Sequence, residues 1–180
     1  FIRIIQPKAF VVENVPGMLW PRHARYLNKF KALTKKARYQ LYGPEVLNAR
    51  DYGVPQNRKR VFMVGFRHDL DVNFSWPSAT HLAPESKLLK TNGHLEWEKA
   101  KVVFDIPIAK SDPNSIHMKH SQDIVDAFKR TPKNGGSRRD SGRELACHKD
   151  HDGHKDVYGR IDPSKPGPTM TTACINPSKG

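Results

Sequence analysis

Acidic residues are scarce in this chain, and cysteines scarcer. Eighteen Asp+Glu stand against 31 Lys+Arg, and the 180 residues hold two cysteines, Cys147 and Cys174. Two thiols cannot build the disulfide framework of a small secreted domain, so a reducing, intracellular setting is expected. Long apolar runs are missing too. Nothing approaches the roughly 20 residues that a membrane-crossing helix needs. Phe1-Ile2-Arg3-Ile4-Ile5 is too short and too charged for a signal peptide and lacks a small-residue cleavage site. No internal repeat is evident. The chain opens without Met and in mid-pattern, as a piece cut from a longer protein would.

What is present begins with charge. The net charge is +13 and the isoelectric point is near 9.9. A surplus of that size on a small chain fits a polyanionic partner, nucleic acid first and an anionic membrane surface second. No basic amphipathic helix stands out to favour the membrane, and charge alone could also serve solubility. Hydrophobic residues make up 37% of the chain, beside 14 Pro and 12 Gly. That is enough for a core, with substantial loop content around it.

The apolar run Lys8-Ala9-Phe10-Val11-Val12 reads as a buried strand whose carboxyl end presents Glu13-Asn14. Sites in open α/β sheets form outside the carboxyl ends of strands. Pro16-Gly17 turns the chain. From Arg22 to Ala37, Tyr26, Leu27, Phe30 and Leu33 recur at helical spacing, with Lys and Arg elsewhere on the surface. Tyr39 to Leu47 reads as a second strand interrupted by Gly43-Pro44, Asp51 to Asn57 as a loop, and Val61 to Phe66 as the clearest strand. Strand, helix, strand, loop, strand is the pattern of an α/β sheet. Composition changes near Trp76-Pro77. Beyond it, Lys101 to Ile106 is a strand or short helix, Ser121 to Arg130 a short helix, and Asn134 to Arg139 a basic glycine loop. A boundary therefore falls near 76, with an irregular, loop-rich module over 77–180.

Two stretches can carry chemistry. A carboxylate directly after an apolar strand sits at the sheet edge, partly desolvated, and can then hold a proton and donate it; alternatively, Glu13 caps the following turn. Arg58 and Arg60 lie two apart, so in extended backbone both point to one face. Two guanidiniums there form a fork for a carboxylate, a phosphate or a carbonyl-bearing base, or simply a charged, protected edge. Elsewhere, Cys147, His148, His151 and His154 form one cluster of metal-capable side chains, whereas zinc sites usually show two separated pairs, so no metal is expected. The loop holding Arg138 and Arg139 can cradle phosphate or stay a flexible basic loop. Thr169, Thr171 and Thr172 can bond phosphate or serve as ordinary strand residues.

Phe10-Val11-Val12-Glu13-Asn14-Val15-Pro16-Gly17 resembles the Glu-Asn-Val motif of DNA cytosine-5 methyltransferases. The run from Tyr52 through Gln56-Asn57-Arg58-Lys59-Arg60 to Gly65 resembles that family's Gln-x-Arg-x-Arg motif. The separation of about forty residues, with a helix and a strand between, is similar as well. Tyr158-Gly159-Arg160 through Pro166-Gly167-Pro168-Thr169-Met170-Thr171-Thr172 is similar to the stretch towards the end of the family's target-recognition region.

The resemblance implies a partial S-adenosylmethionine-dependent, Rossmann-like α/β sheet over 1–76. An irregular α+β target-recognition domain, incomplete, would follow over 77–180. It implies transfer of a methyl group from S-adenosylmethionine to C5 of a flipped cytosine in double-stranded DNA, in the bacterial cytoplasm at the nucleoid. Glu13 would contact cytosine N3 and the exocyclic amine. Arg58 and Arg60 would hold the cytosine carbonyl and the catalytic loop or phosphate, Asn14 would orient backbone, and Gln56 would be structural. Asn14, Gln56, Arg138, Arg139, Thr169 and Thr171 are the candidate DNA-side residues. The family's Pro-Cys loop and glycine-rich cofactor loop have no counterpart in these 180 residues, and neither Cys147 nor Cys174 follows a Pro. The fragment alone is therefore expected to be inactive, with no cofactor-binding residue of its own and the amino-terminal half of the enzyme as its partner on a longer chain. The other reading is a non-catalytic DNA-binding module, or one subunit of a split or degenerate methyltransferase.

Overall fold

The computed structural model describes residues 1–90, 93–109, 111–113, 118–142 and 159–170. A single helical turn, α1 (Ile2–Ile5), leads into β1 (Ala9–Asn14). Helix α2 (Ala24–Lys36) follows two short 3-10 turns, then β2 (Tyr39–Asn48) and β3 (Lys59–Arg67) complete a three-stranded sheet in the order β1-β3-β2. Both pairings are antiparallel. β1 and β2 therefore run the same way, joined by α2, as the repeating α/β pattern predicts, and β3 is wedged between them in the opposite sense. Loop length explains the insertion. Ten residues separate β2 from β3, too few for the crossover that a parallel neighbour requires. The interruption expected at Gly43-Pro44 is a bulge: the register with β3 shifts between Tyr42 and Glu45 and the strand continues.

The two sheet faces bury different clusters. On the α2 face, Phe10 meets Phe30 edge-on at 6.4 Å and Tyr39 at 5.3 Å. Val61 and Met63 of β3 are each 1% exposed there. Gly65 is required at its position, because a Cβ would lie 2.2 Å from the Phe10 ring. The stripe of α2 turned to the sheet is Leu27 and Phe30, both half-buried, and Thr34, buried, whereas Tyr26 and Leu33 are more than half exposed. Positions 27, 30 and 34 keep the helical spacing, and 26 and 33 fall on the flank of that stripe. On the opposite face Tyr42, Phe66, Phe74 and Trp76 form a continuous aromatic run, with neighbouring centroids 5.0–6.0 Å apart. Each such pair adds about 0.5–1.5 kcal/mol beyond area burial. Phe74 and Trp76 thus fold the chain after β3 back over the sheet.

Beyond Pro77 the elements are short: parallel β4 (His81–Leu82) and β5 (Leu95–Glu96), one turn of helix α3 (Lys101–Phe104), α4 (Gln122–Arg130), and a 3-10 turn over Arg138–Ser141. The stretch from Lys101 is helical rather than extended, and α4 lies within the helix expected over 121–130. The two parts of the chain meet at the turn Ala49–Tyr52. The Asp51 carbonyl accepts from the Thr80 N–H at 2.9 Å, its carboxylate accepts from Trp97 Nε1 at 2.9 Å, and the Arg50 guanidinium lies 3.5 Å above the Trp97 ring. Among the described residues, no helix is long and apolar enough to cross a membrane.

Candidate active site

Side chains alternate along β1 and β3, and the register sorts the motif residues between the faces. Glu13 pairs with Phe62, so both point to the face covered by Phe74 and Trp76, as does Arg60 two residues before Phe62. Glu13, Arg58 and Arg60 come together around one cavity of about 310 Å³, walled by Leu47, Ala49, Tyr52, Phe62 and Pro77. The two arginines share a face, as their spacing requires. Arg60 Nε lies 2.8 Å from Glu13 Oε1, and its Nη1 donates to the Lys59 carbonyl at 2.8 Å. The Glu13 side chain is 47% exposed and that of Arg60 18%. Glu13 is therefore an ion-pair partner at a half-open edge, not a lone desolvated carboxyl. One carboxylate and two guanidiniums among apolar walls suit a planar ring with both donor and acceptor atoms on its edge.

The loop from Asn48 to Arg58 sets this geometry. Gly53 ends the turn Ala49–Tyr52 at φ +84°, and a Cβ there would meet the His81 ring at 2.8 Å. The Tyr52 hydroxyl donates to the Pro77 carbonyl at 3.0 Å, closing one wall. Burial pushes the Tyr52 phenol up, with the charges of Asp51 and Glu45 adding to the shift, which keeps that donor protonated. Asn48, 5% exposed, bridges the base of the loop: its Oδ1 accepts from the Arg58 N–H at 2.9 Å and its Nδ2 donates to Asn57 Oδ1 at 3.3 Å. Asn48 is not among the residues picked out from sequence, and Tyr52 entered there only as the first residue of the arginine motif, without a role. The available signal was a lone Asn ending an apolar strand directly before a turn, the usual place for a side chain that satisfies loop backbone.

The candidate DNA-side residues disperse. Asn14 points to the α2 face, away from Glu13, and its Oδ1 accepts from the Val15 N–H at 2.8 Å. Gln56 forms a parallel bridge with Gly167. That contact belongs to a clamp: the Gly167 N–H donates to the Pro55 carbonyl at 2.9 Å, the Asn57 N–H donates to the Gly167 carbonyl at 2.7 Å, and the Thr169 hydroxyl donates to the Asn57 carbonyl at 2.5 Å. The late proline-threonine stretch is thus docked on the arginine motif. Arg138 and Arg139 stand on the 3-10 turn, tied to α4 by Arg130 Nε donating to the Ser141 carbonyl at 3.0 Å. Thr171, Thr172, Cys147, Cys174 and the histidines 148, 151 and 154 lie outside the described residues. Among those described, no cluster of three or more His, Cys, Asp or Glu could hold a metal.

This constellation coincides with a family-wide match: the model for C-5 cytosine-specific DNA methylases covers residues 1–169. The chain belongs to that family. It is 36% identical over 121 residues to the Type II methyltransferase M.NgoPII of Neisseria gonorrhoeae, covering 65% of this chain and 35% of the relative. It is 40% identical over 115 residues to M.HgiBI of Herpetosiphon aurantiacus, covering 61% and 24%. With M.FnuDI of Fusobacterium nucleatum it shares 47% over 81 residues, covering 43% and 23%. The chain spans about a third or less of these curated relatives. In fold it is similar to a prophage-encoded E. coli protein described as a DNA modification methyltransferase, with a TM-score of 0.57 at 18% identity, over 94% of this chain and 54% of that one.

Proposed function

We propose that this chain is the base-gripping part of a DNA cytosine-5 methyltransferase, which moves a methyl group from S-adenosylmethionine to C5 of a cytosine turned out of duplex DNA. The observation that carries the reading is the Glu13–Arg60 pair in a cavity shared with Arg58. C5 of cytosine is a poor nucleophile until C6 is attacked, and the attack pushes negative charge towards N3 and O2. The Glu13 carboxyl is placed to meet the N3 and N4 edge of the ring, and a guanidinium to meet O2. Arg60, already 2.8 Å from Glu13, needs little movement to serve a base seated beside that carboxyl. The base must leave the duplex to reach such a cavity.

No cysteine lines the cavity among the described residues, so the thiolate of this reading comes from elsewhere in the enzyme. The methyl donor also finds no fit here. The larger groove of about 580 Å³, between β1 and α2, has Asn14, Arg22, His23 and Tyr26 as its polar lining and no carboxylate, and its Trp20 and Tyr26 rings already carry the guanidiniums of Arg22 and Arg25, a poor match for a sulfonium cation. The donor is therefore held by residues other than those described. Val11, two-thirds exposed on β1, fits a place where the amino-terminal half of the enzyme packs. Residues 1–76 would then be the catalytic side and 77–180 the recognition side.

The test is transfer of a labelled methyl group to DNA by the complete enzyme. Glu13→Gln and Arg60→Ala are each expected to cut turnover about a hundredfold or more while DNA affinity changes by less than tenfold. Unchanged turnover in either variant would remove the cavity from the mechanism.

A further inference from the structure

Between Glu13 and Glu45 the chain contains no acidic residue, yet it carries Arg22, Arg25, Lys29, Lys31, Lys35, Lys36 and Arg38. More than half of the net +13 therefore resides in this one stretch. The structure gathers it on and around α2, and all seven side chains are exposed. None is paired with a carboxylate among the described residues. Arg25–Lys29 and Lys31–Lys35 are like-charged pairs at i, i+4, an arrangement that destabilises an isolated helix. A helix that only needed solubility would alternate signs.

The cations also have an orderly display. At 100° per residue, Arg25, Lys29 and Lys36 fall on one strip of α2, facing away from the Leu27, Phe30 and Thr34 stripe packed on the sheet. Arg22 stacks on Trp20 at 4.5 Å, and Arg25 stacks on Tyr26 at 4.6 Å while donating to its hydroxyl at 2.6 Å. Both rings are more than half exposed, so stacking holds two guanidiniums outward in set positions and lowers the entropy lost when they bind. Residues 15–23 join the Glu13 end of β1 to the amino end of α2. The strip thus begins at the sheet edge that bears the cavity and runs about 20 Å down the helix at 1.5 Å per residue.

We infer that this strip is a second nucleic-acid contact, gripping the phosphate backbone of duplex DNA outside the cytosine cavity and without regard to sequence. This inference rests on the methyltransferase reading for the identity of the polyanion. The charge density favours a duplex, which presents one negative charge per about 1.7 Å of axis along such a strip. A bilayer is disfavoured because the apolar stripe of α2 is already spent on the sheet and cannot insert.

The experiment measures binding of the full chain to a 30-base-pair duplex by fluorescence anisotropy, over roughly 50–200 mM salt. Wild type is compared with Arg25→Gln/Lys29→Gln/Lys36→Gln, with Lys29→Gln alone, and with Arg3→Gln/Lys8→Gln near the opposite end of β1. Each phosphate contact contributes about 0.9 to the slope of log affinity against log salt. The expected result is a slope shallower by about two to three in the triple variant and by about one in Lys29→Gln, with less change per charge in the Arg3/Lys8 control. All variants should melt like wild type. An unchanged slope in Lys29→Gln and the triple variant, or an equal loss per charge in the control, overturns the strip while leaving the cavity intact. A wild-type chain that ignores duplex but binds phosphatidylserine vesicles overturns it in favour of a membrane. Failure of wild type to bind duplex at the lowest salt strikes the proposed function itself.

Discussion

Asn48 shows what one buried polar side chain decides. It satisfies the Arg58 N–H and bonds the Asn57 side chain, and through them it fixes where Arg58 and Arg60 enter the cavity. Asn48→Ala leaves a buried donor unpaired, and we expect a loss of about 1–3 kcal/mol in urea unfolding. Asn48→Asp, which keeps the acceptor for Arg58, should lose less; equal losses would put the cost in packing alone. A second residue-scale expectation concerns acid. Asp69 is held below its ordinary value of 3.8 by the hydrogen bonds it accepts from Arg67, whose Nη1 also donates to the Gln6 carbonyl at 2.6 Å. A carboxyl depressed in the folded state stabilises above its unfolded pKa, and the benefit disappears as pH falls through the folded one. Stability should therefore decline on the acid side of the ordinary carboxylate range, and Asp69→Asn should flatten that part of a pH-dependent melting curve.

At the scale of elements, the decisive contact is the docking of 166–169 on the Gln56–Asn57 loop. Two main-chain hydrogen bonds and the Thr169 hydroxyl join segments 112 residues apart. Thr169→Val should cost about 1 kcal/mol and speed hydrogen exchange at the Asn57 amide more than at Val64 in the middle of β3. Equal exchange at both amides before and after the change would mean that the clamp does not hold the loop. The strands and the long helix were legible in sequence, because the apolar runs of β1 and β3 and the 3.6-residue repeat of α2 are local signals. Their arrangement was less so. The antiparallel sense of β3 follows from a short loop, and the docking of Gly167 follows from backbone pairing that leaves no periodicity behind.

For the whole molecule, charge is the governing quantity. At +13 the chain should bind duplex DNA electrostatically. With four phosphate contacts, affinity should fall about a hundredfold between 50 and 200 mM salt. Binding that holds level across that range, measured with non-specific duplex, would leave the basic surface without a phosphate role. The same surface links the two sheet faces: the cavity of Glu13, Arg58 and Arg60 lies on one, the cationic strip of α2 on the other, and both start at the carboxyl end of β1.

The sequence by itself determined the family, the face shared by Arg58 and Arg60, and the placing of Glu13 at a strand end, because strand alternation and short motifs are encoded within a few residues. Only the tertiary structure decided that Glu13 is paired with Arg60, that Asn14 turns away from it, and that the late threonine stretch closes on the arginine loop. Those outcomes depend on inter-strand register and on contacts between residues far apart in the chain, which a linear pattern does not contain. The opening motifs thus supplied the groups, and the pairing of β1 with β3 turned them into one cavity.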